Sequence, residues 1–249
     1  MKMDYREKGR YEFSFDARTD GFLGKLIPWS GSFASRGWVS NTRKIQPQTH
    51  ESVSVWRGEK EVKTYTYTQE GDFVELVTLY DHKKPRKRVP DPELTMNSTD
   101  ALAAALQVME HVSDGYNCEG ESIVFDGKRR FKMIFRHKAF VLLKKTQYNT
   151  YSGPAVECTM EVVPITGKWH KKPRGWFSIQ EQGRKKGQLP TMWLAQVTEN
   201  AVVVPVRMRV KTEYGTLFVH MTDYSIEQAK PEVKQKPQAP IVIQAEQPQ

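Results

Sequence analysis

The sequence predicts a mainly β protein in which one antiparallel, curved sheet packs around a single central helix. Three observations carry this. Short segments rich in Tyr, Phe, Thr and Val recur along most of the chain, with Gly and Asp turn signals between them. Only one stretch, Ala-rich and near the middle, keeps a helical period over several turns. A lone helix with an apolar side needs a sheet to bury it.

Residues 1–9 read as an N-terminal extension, 10–227 as a single domain with no composition break or internal period, and 228–249 as a tail. In "RYEFSFDA", Tyr11, Phe13 and Phe15 alternate with Glu12, Ser14 and Asp16, the period of a half-buried strand. Gly21, Gly24, Gly31 and Gly37 punctuate the chain beyond this strand. "EVKTYTYTQ" and "FVELVTLY" are two more strands, and Gly71-Asp72 between them signals a hairpin. The helix is predicted over 98–112, "STDALAAALQVMEHV". Leu102, Ala105, Leu106 and Met109 mark its apolar side, "NST" supplies caps, Asp100 falls in the first turn and Ser113-Asp114-Gly115 ends it.

Strands then resume: "SIVFD" and "RRFKMIF" across Asp126-Gly127, then "AFVLLKKT", "AVECTMEVV", "GWFSIQEQG" and "PTMWLAQV". The last pair is "VVVPVRMRVKTEYGTLFVHM", with its turn around Tyr214-Gly215. Here Val204, Val206, Met208 and Val210 are expected on one face and Arg207, Arg209 and Lys211 on the other. The Pro, Gln and Lys mixture from Gln228 onward has too few apolar residues to pack and reads as disordered.

Hydrophobic residues make up 38% of the 249 and charged residues 27%, which suits a soluble globular chain. No apolar run approaches the roughly 18 residues of a spanning helix. The net charge is +9, of which the tail from Ala229 carries only +1. The excess on the body favours an anionic neighbour: nucleic acid, lipid headgroups or an acidic polymer. The opening "MKMDYREKGR" has no apolar h-region, so the sequence as given carries no signal peptide. That leaves a cytoplasmic chain, or one whose leader is removed or lies upstream.

Chemistry is harder to find. The six histidines are scattered, and HExxH, GxSxG and P-loop patterns are absent, so no catalytic residue, metal or cofactor is expected. Cys118 and Cys158 have three possible fates: a catalytic thiol needing an unseen base, free buried thiols, or a disulfide in an oxidising compartment. Spacing alone leaves them open.

Basic clusters stand at 83–88, 128–130, 144–145, 168–174 and 184–186, mostly beside Gly or Pro and so in turns. Phe131, Met133 and Phe135 alternate with Arg130, Lys132 and Arg136, which puts the rings on the face away from the charges. A nucleic-acid module would interleave stacking rings with its basic residues. The candidate anion-binding surface is Lys128, Arg129, Arg130 and Lys132 together with Arg207, Arg209 and Lys211.

Four stretches taken in order, "STDALAAALQVM", "CEGESIVFDGKRRFKMIF", "YSGPAVECTMEVVPITGKW" and "MWLAQVTENAVVVPVRMRVKTEYGTLFVHM", resemble the bacterial family known as domain of unknown function 3108, and most closely its alphaproteobacterial members. The resemblance implies an exported cell-envelope protein with an open, spiral or half-barrel-like β body and no established enzymatic activity. It also implies that Cys118 pairs with Cys158. The expected function is therefore a non-enzymatic periplasmic protein that meets an anionic envelope component or an acidic partner protein through a basic surface. The alternative is a cytoplasmic nucleic-acid-binding protein. The segment "HKKPRGWFSIQEQGRKKGQL" is longer and more basic than the family pattern.

Overall fold

The computed structural model describes residues 1–5, 7–19, 25, 28–169, 176–199, 201–212 and 215–226. Gly21, Gly24, most of the 168–174 basic cluster, Tyr214 and the 228–249 tail lie outside them.

Two antiparallel sheets form, where the sequence predicts one. The first is a seven-stranded meander: β1 (Lys2–Asp4), β2 (Arg10–Arg18), β3 (Trp29–Val39), β4 (Ile45–Trp56), β5 (Glu59–Tyr67), β6 (Phe73–Tyr80) and β7 (Arg86–Arg88). The second is a six-stranded meander: β8 (Gly120–Phe125), β9 (Arg129–Leu143), β10 (Gly153–Gly167), β11 (Thr191–Ala195), β12 (Val204–Thr212) and β13 (Gly215–His220). Within each sheet every neighbour is the next strand in sequence. Neither sheet closes on itself.

The break between the sheets has a local cause. Pro85 and Pro90 flank β7 and Pro92 comes soon after, and each removes a backbone donor that further pairing would need. The chain turns instead into a short helix α1 (Pro92–Thr95) and then α2 (Ala101–Ser113) before starting β8. Thr99 forms an isolated parallel bridge with Val124, so the segment ahead of α2 is tied to the second sheet.

Helix α2 touches β2, β3 and β4 of one sheet and β8 and β9 of the other. This explains a difference from the periodicity. Leu106 and Met109 are buried as expected, but Ala103, Ala104, Val108 and Val112 are buried as well, because there is a sheet on more than one side. The two alanines keep that approach close. The core between the sheets joins Tyr11, Phe13 and Ile45 to the helix and to Val124, Phe131, Met133, Phe135, Val162 and Leu194.

Asp100 is not in the first turn of α2 but is its N-cap, with extended backbone (φ −90°, ψ 164°). Its Oδ1 accepts the N–H groups of Leu102 and Ala103, at 2.8 and 2.9 Å, two donors the helix cannot satisfy itself. Ser98, a predicted cap, bonds instead to the Thr95 carbonyl of α1.

A third helix, α3 (Trp176–Lys185), covers most of "GWFSIQEQG", where the sequence reading places a strand. The run from Gln180 to Lys185 is Gln, Glu, Gln, Gly, Arg and Lys. All but the glycine are good helix formers, and none is β-branched. β11 pairs with β10 as far as Thr159 and the Met160 N–H still reaches the Pro190 carbonyl at 2.9 Å, which leaves the edge of β10 open beyond it. Gln180 fills that edge: its Oε1 accepts the Val162 N–H at 2.5 Å and its Nε2 donates to the Val162 carbonyl at 2.7 Å. A side-chain amide thus stands in for a neighbouring strand.

Gly71 and Gly127 take positive φ, 103° and 91°, at the β5–β6 and β8–β9 turns. At Gly127 a Cβ would also lie 2.9 Å from the Tyr65 hydroxyl, which donates to the Asp126 carbonyl and so ties the first sheet to this hairpin.

Candidate anion-binding surface

The disulfide joins Cys118, just beyond α2, to Cys158 of β10, with both residues fully buried. It closes a 40-residue separation and holds the helix exit to the middle of the second sheet. Among the described residues no three His, Cys, Asp or Glu side chains are grouped to hold a metal ion.

The basic residues of the β8–β9 hairpin are largely engaged by the protein itself. Arg129 pairs with Asp126, its Nε at 2.7 Å from Oδ2, and lies 4.9 Å from the Trp169 ring centroid. Arg130 donates to the Glu93 carbonyl at 2.6 Å. Lys132 pairs with Glu121 at 3.1 Å, and Lys128 is exposed at the turn. Further along the same sheet Glu161 takes Arg136 at 2.7 Å and also pairs with Arg184 of α3. Burial works against the charged form of Glu161, but these two hydrogen bonds outweigh it and hold the carboxyl below its ordinary range.

Arg207 and Arg209 are placed differently. The register sets Arg207 opposite Trp193 and His220, and Arg209 opposite Thr191 and Phe218. The Arg207 guanidinium lies 4.8 Å from the ring centroids of both Trp193 and Phe218, and that of Arg209 lies 5.3 Å from Trp193. Two cations share one indole. Arg209 Nη2 donates to the Thr191 hydroxyl at 3.1 Å. The Nε atoms of both arginines are buried without a hydrogen-bond partner, and among the described residues neither guanidinium meets a carboxylate. His220 stacks on Phe218 and Tyr148, and burial together with the Arg207 charge holds its imidazole below the usual histidine value.

A bulge decides which residues flank this group. The register of β11 against β12 shifts between Trp193 and Leu194, which leaves Val206 unpaired. The simple alternation expected along β12 therefore changes phase. Val204 and Val206 pack with Trp193, Ala155 and Ala195 in a small cluster of their own, while Met208 packs toward the core between the sheets. Arg207, Arg209 and the half-buried Lys211 share the face of Trp193.

The two halves of the predicted surface are not brought together. Arg130 pairs with Thr166 of β10, whereas Arg209 lines up through Thr191 with Thr159. Seven residues of strand separate them, about 23 Å. Trp193, Thr191, Phe218 and His220 complete the second half, and sequence reasoning did not single them out. The signal that could have found them is the aromatic on each strand flanking β12.

Fold and surface define a two-sheet, disulfide-linked β protein with an arginine pair that no described carboxylate neutralises, on the face of the second sheet away from α2. The chain belongs to the family described as protein of unknown function (DUF3108), whose model matches residues 1–222. No curated protein and no solved structure matches it.

Proposed function

We propose that this is a non-enzymatic protein of the bacterial, alphaproteobacterial-type cell envelope, acting in the periplasm. In this reading it binds an anionic envelope component or an acidic partner protein through the outer face of its second sheet. One observation carries the binding: Arg207 and Arg209 lie over Trp193 with no carboxylate among the described residues to neutralise them. The disulfide supports an oxidising compartment, since such bonds are rare where thiols are kept reduced. No described helix is long and apolar enough to cross a membrane.

The competing reading is a cytoplasmic nucleic-acid binder, suggested by the +9 charge. Against it, Trp193 is 5% exposed and covered by guanidinium groups, so it offers no free face to a base.

Two measurements on the protein expressed from its full native gene test the proposal. Fractionation should place it outside the cytoplasm, and immobilised protein should retain anionic vesicles in a manner that weakens with salt. Recovery with the cytoplasm, together with retention of DNA or RNA at low salt, would establish the alternative instead.

A further inference from the structure

We infer that Arg207 and Arg209 form a clamp for a single phosphomonoester group. This rests on the anionic-surface reading above and narrows it to one ligand chemistry.

Two guanidiniums within 4.8 and 5.3 Å of one ring centroid lie no more than about 10 Å apart, where like charges repel. The described residues supply no anion to relieve this. Glu157 pairs across from Trp193 but makes no ion pair with either arginine, Glu161 is taken by Arg136 and Arg184, and His220 and Lys211 add no negative charge. Among the described residues, the rings are what offsets the repulsion.

With Trp193 and Phe218 each 4.8 Å away, the Arg207 donors are left to act at the rim of the planar group. Among the described residues none of its N–H groups has a partner and Arg209 uses one, on Thr191; with both Nε–H groups buried, the Nη groups are the ones left to meet a ligand. A ligand that satisfies two such forks needs several acceptor oxygens and more than one negative charge. A phosphomonoester has three terminal oxygens and a charge of about −1.5 to −2 near neutral pH. A phosphodiester or carboxylate offers two oxygens and a single charge. Trp193, 5% exposed and covered by the guanidiniums, offers a nucleobase no free face.

The experiment compares three probes at constant ionic strength: glycerol 3-phosphate, phosphatidylcholine vesicles carrying phosphatidic acid, and vesicles carrying phosphatidylglycerol at matched surface potential. The first two present a monoester and the third a diester. Calorimetric titration and vesicle sedimentation should show binding to a monoester probe over phosphatidylglycerol. Arg207→Lys and Arg209→Lys keep the charge but lose the fork, and each should weaken monoester binding by about tenfold or more. Lys60→Arg, on the exposed end of β5 in the first sheet, should change it by less than about twofold.

Tighter binding to phosphatidic acid vesicles than to glycerol 3-phosphate would identify a lipid headgroup as the source, and equal binding a soluble phosphate; both support the clamp. Equal retention of the two vesicle types, unaffected by either Lys variant, would overturn the clamp and leave the general anionic surface standing. Failure to retain any probe would remove both. Two separate Lys variants keep the test sound if one of them does not fold.

Discussion

The hydroxyl of Ser35 on β3 donates to Oδ2 of Asp100 at 2.7 Å, joining the first sheet to the N-terminus of α2 across 65 residues of chain. Both side chains are essentially inaccessible to solvent. Because the Ser35 proton goes to the carboxylate, the Tyr11 hydroxyl is the donor in its 2.8 Å contact with Ser35 Oγ. His50 Nδ1 lies 3.4 Å from the other carboxylate oxygen. One carboxylate caps a helix and organises three side chains of the opposing sheet.

Asp100→Ala should therefore cost more than a cap alone. Loss of the cap contributes about 1 kcal/mol, and stranding the buried Ser35 O–H adds about 1–3 kcal/mol. Asp100→Asn keeps an acceptor for the helix and should lose less. Urea denaturation of the three proteins checks the order. An alanine variant within about 0.5 kcal/mol of wild type, on the order of ordinary surface changes, would show that the network contributes nothing.

The Cys118–Cys158 bond should stabilise the fold by up to about 4 kcal/mol in the chain-entropy treatment of a 40-residue loop. Cys118→Ser and Cys158→Ser should each lose that stabilisation, and the double variant should be little worse than either, because both residues serve one bond. Thermal melts with and without reductant measure it. Additive losses would mean that the thiols act separately.

Gln180→Ala leaves the Val162 N–H and carbonyl buried without partners, at a cost of about 2–4 kcal/mol. In Gln180→Glu a carboxylate can accept from the N–H but cannot donate to the carbonyl. That variant should regain stability relative to wild type as pH falls and the carboxyl gains its proton. Hydrogen exchange at Val162 is the direct readout, and unchanged protection in the alanine variant would refute the substitute-strand role.

Acid sensitivity should trace in part to Glu161. Its folded pKa lies below the ordinary value, so its contribution is fully present above the unfolded pKa of about 4.3 and disappears as pH falls through the folded one. Between about pH 5 and 3 the wild type should lose stability more steeply than Glu161→Gln. Urea midpoints across that range decide the matter. Parallel curves would mean that the Arg136 and Arg184 contacts do not favour the folded state.

The hairpins at Gly71 and Asp126-Gly127 and the helix near Ala101 were legible because their signals are local: a residue that tolerates positive φ, or an apolar period within one segment. The surface was half legible. Alternation along β12 located Arg207 and Arg209, but Trp193 and Phe218 sit on other strands, and nothing local marks which strand will lie alongside. The cysteine pairing could not be read from spacing, since a separation of 40 residues says nothing about where two segments meet.

By itself the sequence determined the strand-rich character, the position of α2, the turn residues and the excess of positive charge, all properties of neighbours in the chain. Only the tertiary structure decided that there are two sheets rather than one, that "GWFSIQEQG" is a helix whose Gln180 completes the edge of β10, that Asp100 answers to Ser35, and that two arginines share one indole. Alternation reports that a strand has two faces but not what each one meets. That is settled when distant segments compete to satisfy the same backbone groups and to bury the same apolar surface.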